Sequence, residues 1–376
     1  MKHIYRTILL LLQFCAMPQL ALAQFFETPI QHIDLLFAGD IMQHETQLNM
    51  AREDDGKYSF TYCYRHISPL VKAADISVAN LETTIGKSGY SGYPSFCAPD
   101  SFLYAVKNAG FNVLLYANNH CMDKGKRGAM HTLDMLDSLQ FAHCGVYRNA
   151  KEREERYPLI IEKKGIRVAI LNYTYSTNGR EIPAPMIVNL IDEETIARDI
   201  QAAKEKRPDV IIACMHWGDE YVSLPPARVK EMSNWLIEQG VSHIIGNHPH
   251  VVQPLEIRES DSTANRHLVV YSTGNLVSNM SLRGTDGGIM VGVRLRKIMN
   301  YTRALNVRYL LTWIAPKDDK GKRDFTIYPA ATTCIEDWNH AEQKRQLFIN
   351  DSRSLFKKHN KGDIQEMFID SVRITQ

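Results

Sequence analysis

Short runs of valine, isoleucine and leucine recur along the chain. Most are closed by a polar or glycine-bearing turn and followed by a stretch with helical spacing, an alternation that predicts α/β architecture. The runs predict strands over residues 33–38, 76–79, 113–116, 168–173, 210–215, 243–245 and 268–272. Two later runs, 289–295 and 304–314, read as long antiparallel strands. Helices are expected at 101–108, behind Asp100 as N-cap, and at 126–139, where Met130, Leu133, Leu136 and Leu139 share one face. Two more are expected at 192–206 and at 227–239, the latter closed by Gly240. No repeat, low-complexity tract or long linker interrupts the sequence, and the charged stretch 317–323 reads as a solvated turn.

A chain of 376 residues, 44% hydrophobic and 23% charged, is large enough for one big α/β domain or two ordinary ones. The ends change the picture. Lys2 and Arg6 precede an apolar run that closes on Ala21-Leu22-Ala23, the pattern of a signal peptide cleaved before Gln24. The alternative is an uncleaved anchor, although the run is short for a membrane span and is broken by Gln13 and Pro18. The expected organisation is therefore a signal peptide over 1–23, one domain over 24–315, and a C-terminal extension over 316–376 packed on it. The chain carries 44 Lys plus Arg against 42 Asp plus Glu, and cleavage would leave a neutral protein. No basic surplus suggests nucleic acid as a partner, and a polyanion would have to be held locally.

Six cysteines follow the leader: Cys63, Cys97, Cys121, Cys144, Cys214 and Cys334. No C-x-x-C occurs, which excludes a zinc ribbon and a thioredoxin-type motif; an exported chain permits disulfides, and Cys63 with Cys97 is the pair to test. Cys214 lies in an apolar run and reads as a buried thiol.

The chemistry gathers where strands end, the place where ligands bind in α/β sheets. Asp40 follows Gly39 at the end of the first run, with His44 four residues on. Asn80 and Glu82 end the second, and Asn118-Asn119-His120 follows the third. His216-Trp217-Gly218-Asp219-Glu220 and Asn247-His248-Pro249-His250 follow later runs. Taken singly, each is an ordinary turn or a hydrogen-bonded histidine. Taken together, imidazoles, carboxylates and amides suit one or two divalent cations, Zn, Fe, Mn or Mg. The alternation His248-x-His250 puts both rings on one side of an extended segment. No cysteine accompanies the clusters, which argues against a closed structural zinc site.

These segments, in this order, resemble the bacterial capsule synthesis family typified by the poly-gamma-glutamate capsule protein CapA, within the calcineurin-like metallophosphoesterase superfamily. They are Gly39 to Met42, Asn80 to Glu82, Asn118 to His120 with Asp123 and Gly125, His216 to Glu220, Gly246 to Gln253, and Tyr271 to Asn275. The resemblance implies a four-layer α/β sandwich, two β-sheets flanked by helices, with a di-metal site at the strand ends. Carried over residue by residue, it makes Asp40 a ligand of the first ion and Glu82 the bridging carboxylate. Asn119, His216 and His248 would hold the second ion, and His250 would return to the first. His120 would act on the departing oxygen, with Asp123 beside it as the second catalytic residue. Met42 stands where the superfamily keeps a histidine, so His44, Asn80 and Glu220 are further candidates for metal or substrate.

The expectation is an exported metal-dependent hydrolase acting on a phosphoester or an anionic cell-surface polymer, working with envelope synthesis machinery in the periplasm or cell envelope. The alternative is a non-catalytic component of capsule polymer synthesis or export that keeps the fold for binding. Lys124, Lys126 and Arg127 beside the Asn119-His120 turn would form either a local anion-holding patch or an ordinary solvated helix face.

Overall fold

The parallel strands that end at residues 41, 81, 115, 216 and 247 bring their carboxyl ends together, and that convergence builds the site. The structure is a computed structural model that describes residues 30–259, 266–316, 325–331 and 341–368. The expected signal peptide, the 317–323 turn and Cys334 lie outside the described residues.

In chain order the first part forms β1 (Gln31–Ile41), α1 (Glu45–Ala51), α2 (Ser68–Ala73), β2 (Ile76–Leu81), β3 (Thr84–Gly86) and β4 (Cys97–Pro99). It continues through α3 (Asp100–Ala109), β5 (Val113–Leu115), α4 (Gly125–Ser138), β6 (Ala142–Cys144), β7 (Val146–Tyr147) and α5 (Ala150–Arg156). The middle comprises β8 (Leu159–Lys163), β9 (Ile166–Thr174), β10 (Ile187–Val188), α6 (Glu193–Glu205), β11 (Val210–His216), α7 (Ala227–Glu238) and β12 (His243–Asn247). Then come β13 (Leu255–Glu259), β14 (Arg266–Val270), β15 (Asn275–Val277), β16 (Gly287–Ile298) and β17 (Tyr301–Ile314). The last elements are β18 (Ile327–Pro329), α8 (Glu342–His359) and β19 (Gln365–Glu366).

Two sheets carry the fold. The larger runs β18-β17-β16-β1-β2-β5-β6, with β15 beside β1 and β19 beside β17; the smaller runs β13-β14-β12-β11-β9-β8. Strands β1, β2, β5 and β6 are parallel, as are β9, β11, β12 and β14; helices lie in the crossovers between them except from β12 to β14, where the antiparallel β13 intervenes. The alternating side chains of β1 explain the layers. Ile33, Leu35 and Phe37 enter the core shared with Val168, Ile170 and Ile212 of the smaller sheet. Leu36 and Ala38 face the opposite way, into a second core with Leu48, Val71, Phe102, Leu103 and Leu133 of α1 to α4. Ile196 and Ile200 of α6 and Val229 and Leu236 of α7 join the first core. The result is the expected α/β arrangement of two sheets flanked by helices.

The described residues beyond 315 pack on the same body. β18 and β19 both pair with β17, and Phe356 of α8 sits edge-on to Tyr309 with ring centroids 4.9 Å apart. Local expectations are corrected in two places. Asp100 is the first residue of α3, not its cap: Pro99 occupies that position, and Asp100 instead accepts from His131 at 2.7 Å. Cys63 and Cys97 are not bonded to each other: Cys63 is packed in the helix-side core, while Cys97 sits on β4 against Gly86. Asp192, by contrast, caps α6 by accepting from Thr195 N, and Gly240 follows α7 at φ +102°, where glycine is favoured.

Candidate metal centre

The cluster begins at a place where only glycine fits. A Cβ on Gly39 would lie 2.1 Å from the Gly274 carbonyl oxygen, because β1 and β15 close on each other there. Asp40 N donates to that same carbonyl at 3.0 Å, and the β1–β2 register shifts between Phe37 and Asp40. Asp40 thus ends up level with Asn80 on one side and Asn275 on the other. Glu82 follows β2 directly, Asn118 to His120 follow β5, His216 is the last residue of β11, and His248 and His250 follow β12. The larger sheet therefore supplies carboxylates and amides, and the smaller sheet supplies three imidazoles.

Asn80 organises the first half. Its Nδ2 donates to Asp40 Oδ1 at 2.8 Å and to Glu82 Oε2 at 3.3 Å, while its Oδ1 accepts from Asn118 Nδ2 at 3.2 Å. Its place is that of a brace between the carboxylates. His250 Nδ1 lies 3.0 Å from Asn275 Oδ1 and 3.2 Å from Asp40 Oδ2, which fixes the ring and leaves Nε2 aimed at Glu82 Oε1, 3.7 Å away. His216 Nε2 is 2.9 Å from Asn119 Oδ1 and 3.6 Å from the same Glu82 oxygen.

That oxygen is the centre of the site. Glu82 Oε1 is buried with no hydrogen-bond partner, and so is His248 Nδ1. A buried carboxylate oxygen without a partner is costly. Its separations from the two imidazole nitrogens exceed hydrogen-bond reach, yet match the ~3.4 Å expected between two donors each bonded to one tetrahedral cation. Three overlapping donor groups result: Glu82 with His216 and His248, Asp40 with Glu82 and His250, and Glu220 with His248 and His250, each within 4.8 Å. The electrostatics agree. Burial, and after it the charges of Asp40 and Glu220, pushes the Glu82 carboxyl well above the usual carboxylate range. Burial, then neighbouring imidazoles, holds His216 well below the usual imidazole range and pushes His248 down to about 3. Neutral imidazoles facing crowded carboxylates are what a divalent cation requires, so the residues fit the ion the sequence implies.

Beside the donors stands a histidine in a different setting. His120 Nδ1 is 2.8 Å from Asp123 Oδ2, and the same oxygen accepts from Phe96 N at 2.7 Å. Phe96 packs edge-on against His120 at 4.6 Å and against His44 at 5.0 Å. His44 Nδ1 accepts from Asn279 N at 3.2 Å. His44 belongs to none of the three donor groups. One correction concerns His248 and His250, which do not lie on an extended segment. Their φ values are +99° and +57°, and it is this left-handed turn around Pro249 that brings both rings to the cluster. Lys126 and Arg127 are exposed at the start of α4, and Lys126 Nζ reaches the Ala184 carbonyl at 3.5 Å.

Sequence reasoning missed Phe96, Tyr175 and the bracing role of Asn275. Tyr175, half-exposed, lays its ring 4.5 Å from that of His248 and its hydroxyl 3.5 Å from Asn119 Nδ2. Asn275 belongs to the Ser-Thr-Gly-Asn segment, whose Gly274 at φ +68° was the available sign of a tight approach.

The model of the bacterial capsule synthesis protein family PGA_cap matches residues 34–280. The capsule biosynthesis protein CapA of Bacillus anthracis is 26% identical over 299 residues, covering 74% of this chain and 68% of that protein. The PGA biosynthesis protein CapA of Bacillus subtilis strain 168 is 26% identical over 276 residues, covering 69% and 67%. Among solved structures, the calcineurin-like phosphoesterase YfkN of Bacillus subtilis gives a TM-score of 0.45 at 15% identity, over 86% of this chain and 100% of that one. The NAD nucleotidase of Haemophilus influenzae gives 0.45 at 11% identity over 92% of this chain, which spans 59% of that protein's length. Likenesses this loose carry nothing about activity. The family match is different in kind, since it runs from before Asp40 to beyond Asn275 and so takes in every strand end that builds the cluster: the chain belongs to the bacterial capsule synthesis protein family.

Proposed function

We propose that the protein is an exported metal-dependent hydrolase of capsule synthesis, cleaving a phosphoester or an anionic cell-surface polymer. The observation that carries this reading is the unpartnered Glu82 Oε1 standing between the imidazoles of His216 and His250, with the His120–Asp123 pair at its side. Asp40, Glu82 and His250 would hold one divalent ion, and Glu82, Asn119, His216 and His248 a second. When bound, such ions neutralise the charge that develops in an in-line displacement and lower the pKa of an attacking water.

The remaining work falls to the chain. Asp123, itself fixed by Phe96 N, accepts the Nδ1 proton of His120 and so sets which nitrogen faces the reaction. His120 Nε2 is then the atom that hands a proton to the leaving oxygen, as a positioned general acid does. Asn80 keeps Asp40 and Glu82 at fixed separation, and Asn275 keeps His250 from rotating. Tyr175 packs its half-exposed ring on the buried His248.

Two measurements test the reading. Purified mature protein should contain a divalent metal and hydrolyse bis(p-nitrophenyl) phosphate, losing turnover when stripped with chelator and regaining it when Mn is supplied. Metal bound without turnover on any phosphoester or polymer would return the protein to a binding role in capsule export. For location, the envelope fraction should yield a chain beginning at Gln24; one still carrying Lys2 would refute cleavage.

A further inference from the structure

The two ion positions are unequally furnished. Glu82, His216, His248 and Asn119 provide four buried donors on one side, while Asp40, Glu82 and His250 provide three on the other. A further carboxylate approaches from solvent. Glu220 is exposed, yet one of its oxygens lies within 4.8 Å of ring nitrogens of both His248 and His250.

Its loop is tied to the histidine turn at several points. Trp217 N donates to Asn247 O at 3.1 Å, and Trp217 Nε1 donates to Tyr271 O at 3.1 Å. Gly218 takes φ +95°, and Tyr221 N donates to Pro249 O at 2.8 Å, the carbonyl between the two histidines. Tyr221 itself has φ +65°, a conformation that a bulky residue keeps only where its surroundings hold it. The bond to Pro249 is one such hold. Its effect is to fix the residue just before it, Glu220, over the His248–His250 turn. Among the described residues, Glu220 is the further carboxylate or imidazole grouped with His250 besides Asp40, Glu82 and His248; Met42 is buried and offers no donor of that kind, and His44 is in none of the groups.

Resting on the metal reading above, we infer that Glu220 is a ligand of the Asp40–Glu82–His250 ion. That ion is accordingly the weaker and more exchangeable of the two, because one of its donors sits on a solvent-facing loop, whereas the partner ion is enclosed by buried groups. The class of ligand is a divalent cation that accepts mixed oxygen and nitrogen donors, with Mn as the probe.

The test is a calorimetric titration of metal-stripped protein with Mn, together with bound-metal analysis after dialysis. Unmodified protein should show a tight and a weaker class of site. Glu220→Gln should weaken the weaker class at least ~10-fold and leave the tight class unchanged. Glu220→Asp should recover part of the loss, which a purely structural role for the side chain would not produce. Since Glu220 is exposed, both variants should fold, and an unchanged circular dichroism spectrum verifies this. The inference is overturned if Glu220→Gln binds Mn with both classes unaltered, or if it loses the tight class instead. If unmodified protein binds no Mn, the inference and the metal reading fall together. If the weaker class is lost as expected but no substrate is hydrolysed, only the hydrolase reading falls.

Discussion

Replacing Glu82 by Gln should move the stability of the metal-free and metal-loaded protein in opposite directions. The swap preserves shape and removes one negative charge from a buried group crowded by Asp40 and Glu220. Its carboxyl is raised in the folded protein, so the folded state binds a proton more tightly than the unfolded chain does. The associated cost therefore grows as pH rises above the ordinary carboxyl value of 4.5. At neutral pH the metal-free variant should be at least as stable as the parent. With metal the order reverses, since Glu82 belongs to the donor groups of both ions. At a Mn concentration 100 times the Kd, each ion adds about 2.7 kcal/mol, hence about 5 kcal/mol for two. With an unfolding entropy of ~2.1 cal/mol/K per residue, a 376-residue chain gains roughly 7 °C in Tm from that binding. Differential scanning calorimetry with chelator and with Mn reads both numbers directly. The parent should shift by about that amount and Glu82→Gln by less than half of it. An equal Mn shift in the variant would refute Glu82 as the shared ligand. A metal-free variant markedly less stable than the parent would refute the account of its charge.

Three further outcomes are expected. His120→Ala should keep its bound metal and lose ~10²- to 10⁴-fold in turnover, so metal loss on the scale of His248→Ala would make His120 a ligand instead. His243, buried in β12 with its pKa pushed down to about 3 by burial and then by His267, stays uncharged as its unfolded counterpart protonates. Chelator-treated protein should therefore lose about 1.4 kcal/mol per pH unit from this residue as pH falls from 6.5 towards that value. Urea unfolding of His243→Leu should show a slope shallower by that amount, and an unchanged slope would exclude the residue as the source. Gly39→Ala drives a Cβ into the Gly274 carbonyl and should cost about 1–3 kcal/mol while displacing Asp40; unchanged stability and Mn affinity would show that β1 and β15 can part without consequence.

How much of this was legible in the sequence depends on whether the information was local. Apolar runs with turn residues after them marked β1, β2, β5, β9, β11, β12, β16 and β17, because a strand buried on both faces leaves a continuous hydrophobic trace. α8 was missed because its buried positions, Phe348, Ile349, Ser352 and Phe356, are thinly spread among lysine, arginine and glutamine. The donors were visible as a set, since each follows a strand that ends at the same edge. Their mutual geometry was not. The approach of Tyr221 N to the Pro249 carbonyl in the left-handed His248–His250 turn, the packing of His44 on Phe96 and the hold of Asn275 on His250 all depend on contacts between segments far apart in sequence. Asn275 reaches the site only because β15 pairs with β1, more than two hundred residues earlier in the chain.

The division of the donors between two sheets also dictates when the centre can come into being. Asp40, Glu82 and Asn119 arrive with one sheet, His216, His248 and His250 with the other, and neither set alone encloses Glu82 Oε1. Uptake of a cation at this cluster would thus be a late event in folding, available only after the sheets have docked. For a chain that crosses a membrane before it folds, the ion it captures would be chosen by the supply at its destination rather than at its place of synthesis, and two compartments could furnish the same polypeptide with different metals.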